Sequence, residues 1–108
     1  MKPLDYEEVI ERIFKILAQN PRLKLPTPDA VHLRHDHKAY GRANTKQIWI
    51  SLDLTGEPSI ENTNFINTLV HEVVHYNGIM DHSHKFYEAF NLLYERVLSV
   101  LRLQGVNV

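Results

Sequence analysis

Two histidines four residues apart, His71 and His75, with a glutamate directly after the first, are the residues whose spacing most clearly indicates chemistry. In an α-helix, positions i and i+4 lie about 40° apart on one face and roughly 6 Å from each other. Both imidazoles can therefore reach one metal ion, whereas Glu72 lies next to this helix face and not on it. The pattern predicts a hydrolytic zinc site in which Glu72 is the general base toward a metal-bound water.

The residues around the motif support a helix with a core side and a histidine side. Apolar residues fall on one face, and His71 and His75 fall on the other; the apolar set is Ile66, Leu69, Val70 and Val73. The competing interpretation is a helix whose histidines are ordinary surface or core residues. The histidine-rich stretch that follows disfavours it.

A catalytic zinc ion takes three ligands from the protein and one water, so a third donor should follow the helix. Three candidates lie within ten residues of His75: Asp81, His82 and His84. Gly78 can end the helix with a left-handed turn that swings the chain back toward the metal. We prefer His82 among these. The remaining alternatives lie on the next predicted helix: Glu88 and Glu95.

Hydrolysis also needs a group that stabilises the oxyanion and groups that hold the ligand imidazoles in place. Candidates for these roles are His84, Asp81 and Tyr76, with Tyr40 and Tyr87 as further aromatic alternatives. For each tyrosine, packing in the core is the competing interpretation. Asp81 is equally well explained as a turn residue.

Three features follow one another in the segment 39–90. A glycine-containing stretch leads into the run Ile48-Trp49-Ile50-Ser51-Leu52-Asp53-Leu54, a helix then carries H-E-x-x-H, and His82 stands four residues before Phe86. In this combination the segment, about half of the chain, resembles the core of SprT-like zinc metalloproteases, the group that includes Spartan, and of the related YgjP or WLM metallopeptidases. The chain departs from larger members in having no cysteine, and hence no zinc ribbon.

The resemblance implies a zincin fold, one Zn²⁺ per chain and hydrolysis of peptide bonds in a protein or peptide substrate, which in the Spartan group is a DNA-associated protein. It also implies that His82 is the third ligand, because the family's later histidine stands in H-S-x-x-F, as His82 does before Ser83 and Phe86. In related folds an extended substrate pairs with the sheet edge beside the site helix. Here that edge would be residues 47–54 or 40–44, with Trp49 expected in the core.

Two other functions would use the same residues. A zinc ion that only stabilises the fold or a partner contact has no use for Glu72, so the intact glutamate favours an enzyme. A regulatory peptidase resembling the ImmA/IrrE group, acting on a repressor, would also carry H-E-x-x-H on a helix. The spacing from His82 to Phe86 fits the SprT-like pattern better.

The elements that must position these residues follow from periodicity and from capping signals. The predicted elements are a helix at 5–19 capped by Asp5, a strand at 31–34, a second strand beginning near Ala39, a strand at 47–54, the site helix from Ser59 or Asn62 to Tyr76, and a last helix at 83–103. They predict an α+β fold, a compact zincin-like domain with a small, mostly antiparallel sheet and a C-terminal bracing helix.

Composition sets outer bounds on this interpretation. A chain of 108 residues with 44% hydrophobic content fits one domain, residues 1–108. The absence of cysteine excludes disulfides and thiolate ligands, and the remaining nitrogen and oxygen donors suit catalytic zinc. No run approaches the length of about 18 apolar residues that a membrane span needs, and the first residues are acidic. We therefore expect a cytoplasmic monomer without membrane contact.

Charge argues against a generally basic nucleic-acid binder, because the net charge is −1. Cations nevertheless concentrate in the segment 32–46, which contains one acid and these four basic residues: Arg34, Lys38, Arg42 and Lys46. A solvated loop or edge strand is the favoured interpretation of such a run, and a weak DNA contact through its phosphates is the alternative.

Overall fold

The structure, a computed structural model, describes residues 6–108. The elements in chain order are α1 (Tyr6–Leu17), β1 (Val31–Arg34), β2 (Gly41–Ala43), β3 (Ile48–Ser51), α2 (Leu52–Thr55), α3 (Thr63–Tyr76) and α4 (His84–Leu103), with a 3-10 turn at Pro28–Ala30. The predicted α+β class is confirmed. Within the described residues, no helix combines the length and the hydropathy that crossing a membrane requires.

Helix α1 forms because its apolar residues recur at helical spacing and pack mainly against α4. Its buried stripe consists of Ile10, Ile13, Phe14, Ile16 and Leu17. The helix ends two residues earlier than predicted, since the N–H groups of Gln19 and Asn20 donate to carbonyls three residues back, which is the tighter 3-10 geometry of a helix end. The predicted cap, Asp5, lies outside the described residues.

Helix α3, which carries the motif, begins at a side-chain cap. The Asn62 Oδ1 accepts hydrogen bonds from the backbone N–H groups of Asn64 and Phe65, so Asn62 rather than Ser59 starts the helix. The same side chain donates through Nδ2 to the carbonyls of Thr55 and Glu57, at 2.8 and 2.9 Å. One amide therefore fixes both the start of α3 and the turn before it.

The end of α3 is tied to a distant part of the chain. Asn77 donates through Nδ2 to the carbonyl of Lys24 and accepts from the Lys24 N–H, at 2.9 and 2.8 Å. Gly78 follows with a φ of 99°, the left-handed turn that the sequence predicts. These contacts set the direction in which the chain leaves the helix toward His82.

Helix α4 starts directly after His82, with Ser83 as its cap. Its buried side faces α1 and α3 and consists of six residues: Phe86, Phe90, Leu93, Val97, Leu98 and Leu101. The helix therefore braces the site helix, as the sequence predicts. Gly105, with a φ of 87°, follows its end.

The sheet corrects two expectations. It is mixed rather than mostly antiparallel: its order is β1-β3-β2, with β3 parallel to β1 and antiparallel to β2. The chain turns back after β2 through a short connection, so that β3 pairs with β2 along one edge. The opposite edge of β3 then pairs with β1. Local alternation predicts that a strand exists, but it does not choose the strand's partner.

The predicted strand at 47–54 is also too long, because the chain turns into α2 at Leu52. The Thr55 hydroxyl donates to the Ser51 carbonyl at 2.9 Å, and the Gly56 N–H donates to the Leu52 carbonyl at the same distance. Thr55 is buried and Leu52 packs against the core, so one helical turn buries both. An alternating run of this length is compatible with one long strand and also with a short strand followed by a helical turn.

The two faces of the sheet differ in character. Val31, Ile48 and Ile50 point into the core, whereas Trp49 is only half-buried and lies on the opposite face. The expectation that Trp49 belongs to the core is therefore wrong. Helix α3 contacts β2 and β3 closely, and this contact brings the motif beside the sheet.

Candidate metal centre

Three imidazoles converge at one point between α3 and the start of α4. The Nε2 atom of His82 lies 3.1 Å from Nε2 of His71 and 3.2 Å from Nε2 of His75. The ring centroids of His71 and His75 are 4.9 Å apart, as the i,i+4 spacing predicts. The structure thus brings together the three histidines that the sequence analysis preferred.

The spacing of these nitrogens fits a zinc ion. Zinc binds imidazole nitrogen at about 2.05 Å, and a tetrahedral angle at that distance separates two ligand nitrogens by about 3.3 Å. The measured separations of 3.1 and 3.2 Å are close to that value. Among the described residues, these histidines form the one group of three or more His, Asp or Glu whose donor atoms lie close enough to hold an ion.

A backbone carbonyl fixes the tautomer of His75. Its Nδ1–H donates to the carbonyl of Ile79 at 2.7 Å, so that the lone pair of Nε2 faces His82. Donation of the second ring N–H to a carbonyl is the usual way in which proteins orient a metal-binding histidine. The sequence analysis proposed Asp81 for such a role, and the structure places this carbonyl there, in the loop that follows Gly78.

Phe86 packs against all three imidazoles. Its ring centroid lies 4.7 Å from that of His75 in a stacked arrangement, and 4.7 and 5.1 Å from those of His71 and His82 in edge contacts. Phe86 is fully buried on α4. The spacing from His82 to Phe86 therefore has a physical reason. It places the Phe86 ring in the first turn of α4, where the ring contacts the three imidazoles from the core side.

The environment of His71 keeps its imidazole neutral. Burial, followed by the proximity of His75 and His82, lowers the pKa of His71 from 6.5 to about 4. Desolvation and like charge both disfavour the protonated form. At neutral pH this ring therefore keeps a lone pair, which metal binding requires.

Glu72 is a buried carboxylate without a partner. It is 3% exposed, and among the described residues its Oε1 atom has no hydrogen-bond donor. Burial raises its pKa to about 7. Such a group costs free energy unless something compensates it, and strongly perturbed carboxyl groups in clefts are characteristic of functional sites.

Gly41 makes the position of Glu72 sterically feasible. A Cβ atom at this position would lie 2.9 Å from Thr68 Cγ2, 2.9 Å from the carbonyl oxygen of Trp49 and 3.1 Å from Glu72 Cγ. The first two distances are shorter than real contacts allow. The edge strand β2 can therefore approach α3 at the motif only because residue 41 has no side chain.

We expect Gly41→Ala to destabilise the fold by about 1–3 kcal/mol through overpacking, and to lower the hydrolysis that is proposed below by displacing Glu72. Denaturant unfolding and turnover per folded molecule are the measurements. Gly105→Ala is the matched control, because Gly105 has a φ of 87° but a Cβ atom there would meet nothing within 4 Å. It should lower stability without changing turnover. Normal turnover in Gly41→Ala would mean that the close approach does not matter for the site.

An open cleft of about 560 Å³ adjoins the histidines. Its lining residues come from β2, α3 and α4 and the loops next to them: Tyr40, Gly41, Asn64, Asn67, Thr68, His71, Glu72, His82 and Tyr87. The sequence analysis did not identify Asn64 and Asn67. They lie seven and four residues before His71, which places them on the same helix face as that histidine. This spacing could have identified them from the sequence.

The other residues considered from the sequence lie elsewhere. His84 is almost fully exposed and pairs with Glu88 one turn along α4, at 3.5 Å. Asp81 and Glu95 are exposed, and neither joins the histidine group. Tyr76 packs against the hydrophobic core. Of the tyrosines, Tyr40 and Tyr87 border the cleft, so they are better placed than Tyr76 to meet a substrate.

No family model, curated protein or solved structure matches this chain. The resemblance to SprT-like metalloproteases therefore rests on the three sequence features alone. Function has to be inferred from the histidine cluster, from Glu72 and from the cleft beside them.

Proposed function

We propose that this chain is a zinc-dependent metallopeptidase that hydrolyses peptide bonds in a protein or peptide substrate. His71, His75 and His82 would hold one Zn²⁺, and Glu72 would be the general base. The observation that carries this proposal is the unpartnered, buried carboxylate of Glu72 directly beside three converging imidazoles at an open cleft. A purely structural metal site has no need of such a carboxylate.

Bound zinc supplies Lewis acidity and lowers the pKa of a coordinated water toward 7. Glu72 accepts the proton of the attacking water and then donates it to the leaving amine. A buried carboxylate that no hydrogen-bond donor stabilises is more basic than an exposed one, which suits it to accept a proton from water. The hydroxyl groups of Tyr40 and Tyr87, which border the cleft, are the candidates for stabilising the oxyanion.

The cleft suits an extended polypeptide. Strand β2 pairs with β3 on one side only, so the described sheet leaves the other edge of β2 without a strand partner. Gly41, in this strand, lines the cleft beside Glu72. A substrate strand could pair with that edge and so pass across the histidines. The two asparagines in the lining offer further amide partners for a peptide backbone.

The direct test is hydrolysis of unfolded casein with metal removed and restored. The purified chain should contain one zinc by elemental analysis, cleave casein, lose activity with 1,10-phenanthroline and regain it with one equivalent of zinc. The physical reason is that the residues hold and orient the reactants, whereas the ion activates the water. Cleavage that is insensitive to the chelator, or a chain that binds zinc but cleaves neither casein nor a peptide library, would contradict the proposal.

A further inference from the structure

Helix α3 carries two amide side chains in line with its metal-binding face. Asn67 and Asn64 stand four and seven residues before His71. They therefore lie about 40° and 20° from His71 around the helix axis, and about 6 and 10 Å from it along the axis. Both line the open cleft beside the histidines. The cleft thus continues from the candidate zinc site along two turns of α3, toward the start of that helix.

The fold does not account for these two amides. Asparagine is a poor helix former, because its side chain competes for backbone hydrogen bonds, and it is favoured where it caps a helix. Asn62 already has that role at the start of α3. Among the described residues, the side chains of Asn64 and Asn67 have no hydrogen-bond partner. Their donors and acceptors are therefore open to a ligand in the cleft.

The chemistry of the lining limits which side chain could occupy this part of the cleft. The described residues that line it include no lysine, arginine or aspartate, and their one carboxylate, Glu72, is buried beside the histidines. A charged substrate side chain over the asparagines would find no ion partner there. An apolar one would cover the amides without replacing their hydrogen bonds to water. A carboxamide both donates to and accepts from an asparagine, so it satisfies both groups.

We propose that Asn64 and Asn67 form a subsite that selects substrates with glutamine or asparagine near the scissile bond. This inference rests on the proposed peptidase function. A substrate strand paired with the free edge of β2 would extend the sheet, which packs against α3. Alternate side chains of that strand would then point toward α3. At about 3.3 Å per residue, those that reach the asparagines lie within about three residues of the scissile bond.

A positional scan of one casein segment measures the preference. Each position carries glutamine, glutamate, leucine or lysine in turn, and the zinc-loaded chain is the enzyme. Near the cleaved bond, glutamine should give a kcat/KM about 5- to 30-fold higher than the other three, which is the effect of one or two hydrogen bonds in an open site. Glutamate is the sharpest comparison, because it has nearly the same shape. Equal cleavage of all four would overturn the subsite and leave the hydrolysis standing.

A binding measurement separates failure of the subsite from failure of the peptidase. If the chain cleaved none of the peptides, their affinity for the same zinc-loaded chain would be measured by fluorescence anisotropy of labelled peptides. Glutamine peptides that bind about 5- to 30-fold more tightly would support the subsite and contradict the proposed hydrolysis. Equal binding, or no binding at all, would overturn the subsite as well.

Paired substitutions assign the preference to the two asparagines. Asn64→Leu with Asn67→Leu keeps the side-chain size, and it should reduce the preference for glutamine over glutamate to less than about twofold. Asn91→Leu is the matched control, because Asn91 is an exposed asparagine of α4 outside the cleft lining. It should leave the preference unchanged. An equal loss with every peptide in the leucine pair would mean that the asparagines bind the substrate backbone, which would overturn the proposed selection.

Circular dichroism and zinc content check that each variant folds. If the leucine pair aggregates, Asn64→Ala with Asn67→Ala removes the same amides without adding apolar surface, and the same comparison of glutamine with glutamate peptides applies. A preference that survives in the alanine pair would show that other residues select the substrate.

Discussion

Replacing Glu72 with glutamine is expected to lower hydrolysis by about 10²- to 10⁴-fold while the fold and the metal affinity stay close to normal. Glutamine has nearly the same shape, but its amide cannot accept a proton from water. The fold should tolerate the change because Oε1 of Glu72 has no hydrogen-bond donor to lose among the described residues. Removing a carboxylate that burial already disfavours also removes a cost to folding.

The measurements are casein turnover, zinc content after dialysis, and the midpoint of unfolding. Glu88→Gln is the matched control, because Glu88 is an exposed glutamate on α4 that pairs with His84. It should leave all three values unchanged. If Glu72→Gln turned over casein within about tenfold of the unaltered chain, Glu72 could not be the base. If it lost zinc or its fold instead, its role would be structural.

The helices could be predicted from the sequence because their signals are local. The cap at Asn62, the turn at Gly78 and the cap at Ser83 each act on backbone groups within a few residues. Each apolar stripe likewise lies within one helix. The predicted bounds of α3 and α4 are therefore close to the observed ones.

The sheet was less predictable, because strand pairing is set by distant residues. The alternation in 47–54 could not show that β3 ends at Ser51, nor that β1 would pair with it in parallel. The expectation that Trp49 is buried in the core was wrong for the same reason. An aromatic residue in a strand is usually buried, but here nothing in the local sequence shows which face of the sheet the helices cover.

Those features of the site that depend on spacing along the chain could be predicted. Those that depend on how helices and strands pack against each other could not. The distance between His71 and His75 follows from one helix. By contrast, the bond from His75 to the Ile79 carbonyl and the packing of Phe86 against three rings required the turn and α4 to be in place. The need for glycine at position 41 required β2 to be docked on α3.

Removal of the His82 imidazole should weaken zinc binding by more than about 100-fold, whereas removal of the His84 imidazole should change it only slightly. Loss of a residue that merely supports a ligand already costs 10- to 100-fold, and loss of a ligand should exceed that. The Nε2 atom of His82 lies within 3.2 Å of both other Nε2 atoms. His84, two residues on, is 96% exposed at its side chain and directed to Glu88.

His82→Ala and His84→Ala form a matched pair, since both residues are exposed histidines within two residues of the α4 cap, Ser83. Competition with a chromophoric zinc chelator measures the two affinities, and circular dichroism checks the fold. Equal affinities would rule out His82 as the third zinc ligand. Asp81, Glu88 and Glu95 would then be the remaining candidates for that ligand. A large loss in His84→Ala alone would mean that the α4 start rotates when metal binds. The expected pattern, a loss confined to His82→Ala, would tie zinc affinity to the nitrogen that lies between the two motif histidines.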